Sequence, residues 1–222
     1  MKLSKILFEL NDRKYATPWG QDPGKDSRVQ KILSFVGSKK KVLDIGCYDG
    51  TIASEIIKKG NQVVGVDISP NAVRMAKKKG VQACVCNIEE ENLPSSFGKF
   101  DVIVAGEIID HIFDPDSFFQ KMRSLLKPGG YLVLTTPNLA GLGSRLSLLF
   151  GRLPWMIENE VGRSGHIRYF TLSDLQRILR RNGFEITNFT TTSVGLSNFT
   201  ISYLEKLFPT LGRILIVKAR RT

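Results

Sequence analysis

The sequence predicts an α/β fold, a seven-stranded, doubly wound and mostly parallel sheet with helices on both faces and an inserted cap. Three observations predict it. Short apolar runs alternate with helical patterns from Arg28 onward, the first of them runs into the glycine-bearing turn VLDIGCYDG, and the alternation breaks after Pro137 before it resumes. The 222 residues suffice for one sizeable core.

Residues 1–27 mix an amphipathic start with the turn-rich PWGQDPGKDS and read as an N-terminal arm and loop, which leaves 28–222 for the domain itself. A helix is expected from Arg28 to about Val36. Strands are expected over 41–45, 62–66, 81–86, 100–105 and 131–136, with helices near 51–59, 70–79 and 116–126. Residues 138–165 hold five glycines, a proline and the apolar LSLLF, and read as a cap segment. Regularity returns at TLSDLQRILRRNG, where Thr171 suits a helix N-cap and Gly183 a stop. Strands follow at about 184–191 and 213–219. Between them the helix-like NFTISYLEKLF falls in a second cap segment, 193–209.

The formal net charge is +11 and uneven: residues 138–222 carry 12 basic and 5 acidic side chains. That surplus suits a solubilising surface, an anionic acceptor, a nucleic acid or a peripheral membrane contact. Three cysteines, Cys47, Cys84 and Cys86, give no disulfide framework and fit a reducing cytoplasm; Cys84 and Cys86 are expected on one face of a strand as buried thiols. The start MKLSKILFELNDRK is broken by Lys5, Glu9 and Asp12 with no small-residue cleavage site, so no secretory signal is expected, and no run reaches transmembrane length.

Gly46 and Gly50 allow a tight turn at the carboxyl end of the first strand, where open α/β sheets bind ligands. The second strand, QVVGVD, ends in Asp67, 21 residues after Gly46. A carboxylate there can accept both ribose hydroxyls of an adenosine-bearing ligand, with Ile68 against the adenine and the Asn87 amide at its edge. The dinucleotide pattern is absent, because Tyr48 and Thr51 stand at its second and third glycines. Asp44 precedes the turn instead, and an acid there favours a cationic ligand over a pyrophosphate. S-adenosylmethionine, with its sulfonium and ammonium, is such a ligand.

DIGCYDG, VVGVDIS, FDVIVAGEIIDHIFDP and LLKPGGYLVLTTPN in succession resemble the motifs of class I S-adenosylmethionine-dependent methyltransferases over about residues 28–137, and GHIRYFTLSDLQRILRRNGFEI resumes the likeness over 165–186. The nearest subgroup is the small-molecule enzymes, including the ubiquinone-biosynthesis O-methyltransferases and the methionine-biosynthesis W-type proteins. The resemblance implies a Rossmann-like methyltransferase fold and a small-molecule methyl acceptor, apolar or aromatic, with S-adenosylhomocysteine as product. It also implies backbone contacts from Gly46 and Cys47 to the methionine part, the ribose on Asp67 and the adenine beside Asn87 and Ile88. Gly106 would lie at the amino-acid end, and Arg28 would reach the cofactor carboxylate. Tyr48 departs from the pattern, since relatives commonly have glycine there.

The two histidines, His166 and His111, are the candidate catalytic residues, with His166 as proton acceptor and His111 facing or supporting it. Arg163 and Arg168 flank His166 in sequence and are candidates to orient an anionic acceptor. Glu107, Asp110 and His111 form a set that in ubiquinone-type relatives is associated with a divalent metal; helix packing and capping is the preferred reading of the two acids, and no metal ligand is assigned. Two alternatives stand beside the small-molecule enzyme. An RNA or protein methyltransferase would suit the basic C-terminal part, but the chain has neither an NPPY or DPPY motif nor a Pro-Cys dipeptide. A non-catalytic cofactor-binding partner protein would suit Tyr48.

Overall fold

The computed structural model describes residues 20, 22–157, 165–196, 199–201 and 204–222. Most of the N-terminal arm therefore lies outside the described residues, as do 158–164 of the first cap segment and 197–198 and 202–203 of the second. Two compact units are present. One comprises the chain up to Val104 with Leu125–Gly130; the other comprises Ala105–Ser124 with Tyr131–Thr222.

In the first unit, α1 (Ser27–Val36) begins where the Asp26 carboxylate accepts the Arg28 and Val29 amides, and it buries Val29, Ile32, Leu33 and Val36 on one helical stripe. Strands β1 (Lys41–Ile45) and β2 (Gln62–Asp67) pair in parallel with Asp44 opposite Gly65, and β3 (Gln82–Val85) adds to β2 with Val85 opposite Asp67. Both of the first two strands are buried at every interior position, as expected of a sheet covered on both faces. Between them run α2 (Thr51–Lys58) and α3 (Pro70–Lys78), the latter capped by Ser69 with proline at its first position. The strand β4 (Phe100–Gly106) follows.

The second unit contains α4 (Pro115–Leu125), the greater part of β5 (Leu126–Pro137), α5 (Leu142–Leu149) and α6 (Leu172–Arg181). Thr171 and Asp174 form a reciprocal capping box at the start of α6, and Gly183 lies just past its end with φ of 74°. Then come β6 (Phe184–Thr191), the short pair β7 (Val194–Leu196) and β8 (Phe199–Ile201), the one-turn α7 (Leu204–Leu207) and β9 (Ile214–Arg221). The seven-stranded sheet has the order β3-β2-β1-β4-β5-β9-β6, with β9 antiparallel to both β5 and β6.

Four expectations change. Cys86 is buried, but Cys84 is only half-buried because β3 is an edge strand. The glycine-broken cap segment contains a helix, α5. NFTISYLEKLF is not one helix: the β-branched and aromatic Phe199–Ile201 pair with β7 as a hairpin. The fifth strand begins at Leu126 rather than 131.

The excursion between β6 and β9 is closed at its base. The Thr192 amide donates to the Ile214 carbonyl at 3.0 Å, and the Ile214 amide returns to Thr192 Oγ1 at 3.2 Å. The buried Asn138 Nδ2 donates to the carbonyls of Thr210 and Gly212, each at 2.8 Å. The two cap segments also meet, because α5 packs against β7.

Candidate active site

The turn after β1 is shaped by backbone that only certain residues tolerate. Gly46 and Gly50 have φ of 68° and 76°, and a Cβ on Gly50 would lie 2.8 Å from Ala76 Cα. Tyr48 adopts φ of 48°, the left-handed conformation that glycine would take at no cost. Gly65, inside β2, makes room for the loop: a Cβ there would meet Cys47 Sγ at 2.8 Å. Nothing local in the sequence marked Gly65, whose role depends on the register of β1 and β2.

Asp67 closes the loop from the second strand. Its Oδ2 accepts the Tyr48 amide and its Oδ1 the Ser69 amide, both at 2.9 Å. The carboxylate is thereby fixed in direction. The Gly46 and Cys47 amides both donate to the Val66 carbonyl, at 2.8 and 3.0 Å. That places a limit on the implied backbone contacts: the amides are committed within the fold, so a ligand contact at these residues falls to carbonyl oxygen, which suits an ammonium donor.

Asp44 is 3% exposed, and its Oδ2 meets no hydrogen-bond partner among the described residues. Burial, reinforced by the neighbouring charge of Asp67, raises its carboxyl to about 7. An orphaned buried carboxylate oxygen is costly unless a donor or cation meets it. The same burial, with the charges of Asp44 and Asp67, pushes the Cys47 thiol far up, so Cys47 is a packed thiol rather than a nucleophile. Ile68 is half-buried after β2, and Ile88 is buried beyond β3. Asn87 Oδ1 accepts the Glu89 amide at 3.1 Å, which leaves its NH₂ group as the end suited to an adenine acceptor. Arg28 is half-buried in the first turn of α1.

In the second unit β4 ends at Gly106, and the chain turns through Glu107 with φ of 55°. Glu107 turns toward β5: its amide donates to the Thr135 carbonyl, and Thr135 Oγ1 donates to Glu107 Oε1 at 2.8 Å. Asp110 is 1% exposed, and its Oδ2 faces His166 Nε2 at 3.0 Å and His111 Nε2 at 3.4 Å. The outer nitrogens face carbonyls, His166 Nδ1 to Met156 at 3.2 Å and His111 Nδ1 to Gly165 at 3.0 Å. The imidazoles lie 4.9 Å apart between centroids. The expected proximity of the two histidines is thus present, with Asp110 as the group that unites them.

Asp110, His111 and His166 also offer three ligand atoms within 4.8 Å of one another, which is a donor set different from Glu107, Asp110 and His111. Cis ligands on a small divalent ion at about 2.1 Å lie about 3 Å apart, so the same spacing serves a cation or direct hydrogen bonds. Arg168 does not present a guanidinium for an anionic acceptor: its Nε donates to the Ile112 carbonyl at 2.9 Å and its Nη2 to the Phe113 carbonyl. Those carbonyls claim it as a brace for the loop after Asp110. Arg163 lies outside the described residues.

Residues 21–188 match the model of the methyltransferase domain family. The chain belongs to that family, as a class I S-adenosylmethionine-dependent methyltransferase. Two curated relatives illustrate the likeness. The mitochondrial ubiquinone biosynthesis O-methyltransferase of Rattus norvegicus is 29% identical over 188 residues, 80% of this chain and 50% of that protein. The Chromobacterium violaceum ubiquinone biosynthesis O-methyltransferase is 28% identical over 162 residues, 70% of this chain and 68% of that one. The chain spans about half the length of most of the first curated relatives it matches. Among solved structures, the magnesium protoporphyrin IX methyltransferase of Synechocystis with bound S-adenosylhomocysteine superposes with a TM-score of 0.67 at 16% identity, covering 99% of this chain and 100% of that chain. A methyltransferase from Mesorhizobium loti gives 0.65 at 18% identity, over 90% and 100%. These two establish the shared fold.

The buried Asp44 oxygen near the end of the first strand, unpartnered among the described residues, is chemically suited to a cationic ligand, and Asp67 is held in direction beside it by two backbone amides.

Proposed function

We propose that this methyltransferase transfers the methyl group of S-adenosylmethionine to a hydroxyl of a small, apolar or aromatic acceptor. The observation that carries the reading is the Asp110–His111–His166 cluster, a buried carboxylate shared by two imidazoles on the segment that follows β4. The O-methyltransferase names of the relatives point to oxygen as the nucleophile.

When bound, S-adenosylmethionine supplies an already activated methyl, so the protein's tasks are alignment and proton removal. Asp67 holds the ribose, Asn87, Ile68 and Ile88 border the adenine, Asp44 balances the positive charge, and the carbonyl side of Gly46–Cys47 receives the ammonium. Arg28 serves the cofactor carboxylate and Gly106 its amino-acid end. His111 is the better placed of the two imidazoles to take a proton. Its side chain is 29% exposed against 12% for His166, and its contact with Asp110 is the longer. With Nδ1–H donated to Gly165, Nε2 receives the acceptor's proton, and Asp110 stabilises the imidazolium that forms. His166 Nε2 lies 3.0 Å from Asp110 Oδ2, close enough for a protonated His166 to pair with the carboxylate and hold it in place. This exchanges the roles that sequence alone had suggested.

The test is turnover with S-adenosylmethionine and a panel of phenols, catechols, amines and thiols, read as S-adenosylhomocysteine release. Methylation confined to hydroxyl acceptors supports the reading. Methylation of amines or thiols alone, or of RNA or protein in place of small molecules, overturns it.

A further inference from the structure

We infer that the end of α5 and the turn that follows it dock on an anionic lipid bilayer. Leu149 and Phe150 are each 74% exposed, and Leu148, Leu153 and Trp155 are each 52% exposed. Five large apolar side chains within eight residues exceed the scattered singles of an ordinary soluble surface and mark an interaction site.

Charge selects the partner. From Leu139 to Ile157 the chain has no acidic residue, while Arg145 and Arg152 are exposed. A third guanidinium, from Arg213, lies 5.1 Å from the centre of the Trp155 ring. Tryptophan with an adjacent cation is suited to the boundary between headgroups and acyl chains, where one part of the side chain is apolar and the other wet. Phe150 and Leu146 also line one open depression with Gly143, Ser147 and Arg152, so apolar floor and guanidinium share a single concavity. An anionic headgroup answers the guanidinium, and an acyl chain answers the floor. No helix among the described residues is long and apolar enough to cross a membrane, so the contact is a peripheral one. The inference is independent of the acceptor's identity.

Vesicle flotation of the full chain tests it, with phosphatidylcholine alone and with about one-third phosphatidylglycerol. The protein floats with the anionic vesicles only, and about 0.5 M salt releases most of it. Leu149→Ser with Phe150→Ser lowers partitioning by about tenfold or more, and Arg152→Gln by about threefold. Both variants keep S-adenosylhomocysteine binding by calorimetry, which reports that they are folded. In a Trp19→Phe background, the Trp155 emission shifts to the blue on anionic vesicles. No flotation at low salt, or equal flotation of the serine double variant, overturns the inference. So does a dimer in light scattering that the same double variant dissolves, because the surface then belongs to a second copy of this chain.

Discussion

The Tyr48 amide donates to the Asp67 carboxylate at 2.9 Å, so the residue expected to hold the ribose also holds the loop that follows β1. Asp67→Ala removes both functions. Cofactor affinity should fall by roughly 2–3 kcal/mol, the scale of a charge-assisted bidentate contact. Calorimetry with S-adenosylhomocysteine checks this, and unchanged affinity would remove Asp67 from the site. Asp67→Asn, which keeps an acceptor for the Tyr48 amide, should recover loop stability better than it recovers affinity.

Tyr48 carries its left-handed backbone at a cost that glycine would not incur. Tyr48→Gly should therefore leave the melting temperature unchanged or raise it, through relief of about 1 kcal/mol offset by the entropy of glycine. Tyr48→Val, β-branched at positive φ, should lower it. Should valine be tolerated as well as glycine, the turn is not strained at this position.

Asp44 should make cofactor binding pH-dependent. Its carboxyl stands at about 7 in the free protein, raised by burial and then by Asp67. Since the raised value lies above that of the unfolded chain, Asp44's own contribution to apo stability is fully present at acid pH and is lost as pH rises toward 7. A cationic cofactor favours the carboxylate, so binding expels a proton below pH 7. Affinity for S-adenosylmethionine should rise by up to about tenfold per pH unit toward 7 and then level off. Asp44→Asn should flatten that slope, weaken binding and stabilise the apo protein at pH 8 by about 2–4 kcal/mol. A slope that survives the substitution would assign the proton to another group.

The histidine roles separate by substitution. His111→Gln should lower kcat by about 100-fold or more with unchanged S-adenosylhomocysteine affinity. His166→Gln should lower thermal stability and reduce kcat less, because the ring anchors Asp110. Repeating both assays in chelator and in added magnesium distinguishes an imidazole base from a cation held by the same three groups. The opposite ranking of the two variants would restore His166 as the base.

Much of the fold was legible because its signals are local. The runs KVLDI and QVVGVD give the buried parallel strands directly, and Thr171 with Asp174 writes the start of α6 into four residues. Asp44 and Asp67 could be singled out because each falls at or just before a strand end, and Asn87 because it follows the third strand by two residues. The Asp110–His111–His166 cluster was only half legible: both histidines could be singled out by rarity, but Asp110 reaches His166 across 56 positions through tertiary structure. LGSRLSLL carries two small polar residues and a glycine, which hid α5 in a stretch that reads as loop. Phe199–Ile201 was absorbed into a helix because the helical signal of YLEKLF outweighed three residues of strand propensity.

The closed base of the segment between β6 and β9 makes that segment interchangeable. Thr192 and Ile214 are joined to each other, and Asn138 grips the returning chain at Thr210 and Gly212. The last strand therefore finds its place from contacts that do not involve the hairpin itself. Lengthening or replacing a stretch whose ends are already clasped adds closure entropy only logarithmically. Grafts between residues 194 and 209 should accordingly be accepted without re-registering β9, at the cost of the contact between α5 and β7, giving recombination a place to introduce new sequence while the rest of the sheet is inherited intact.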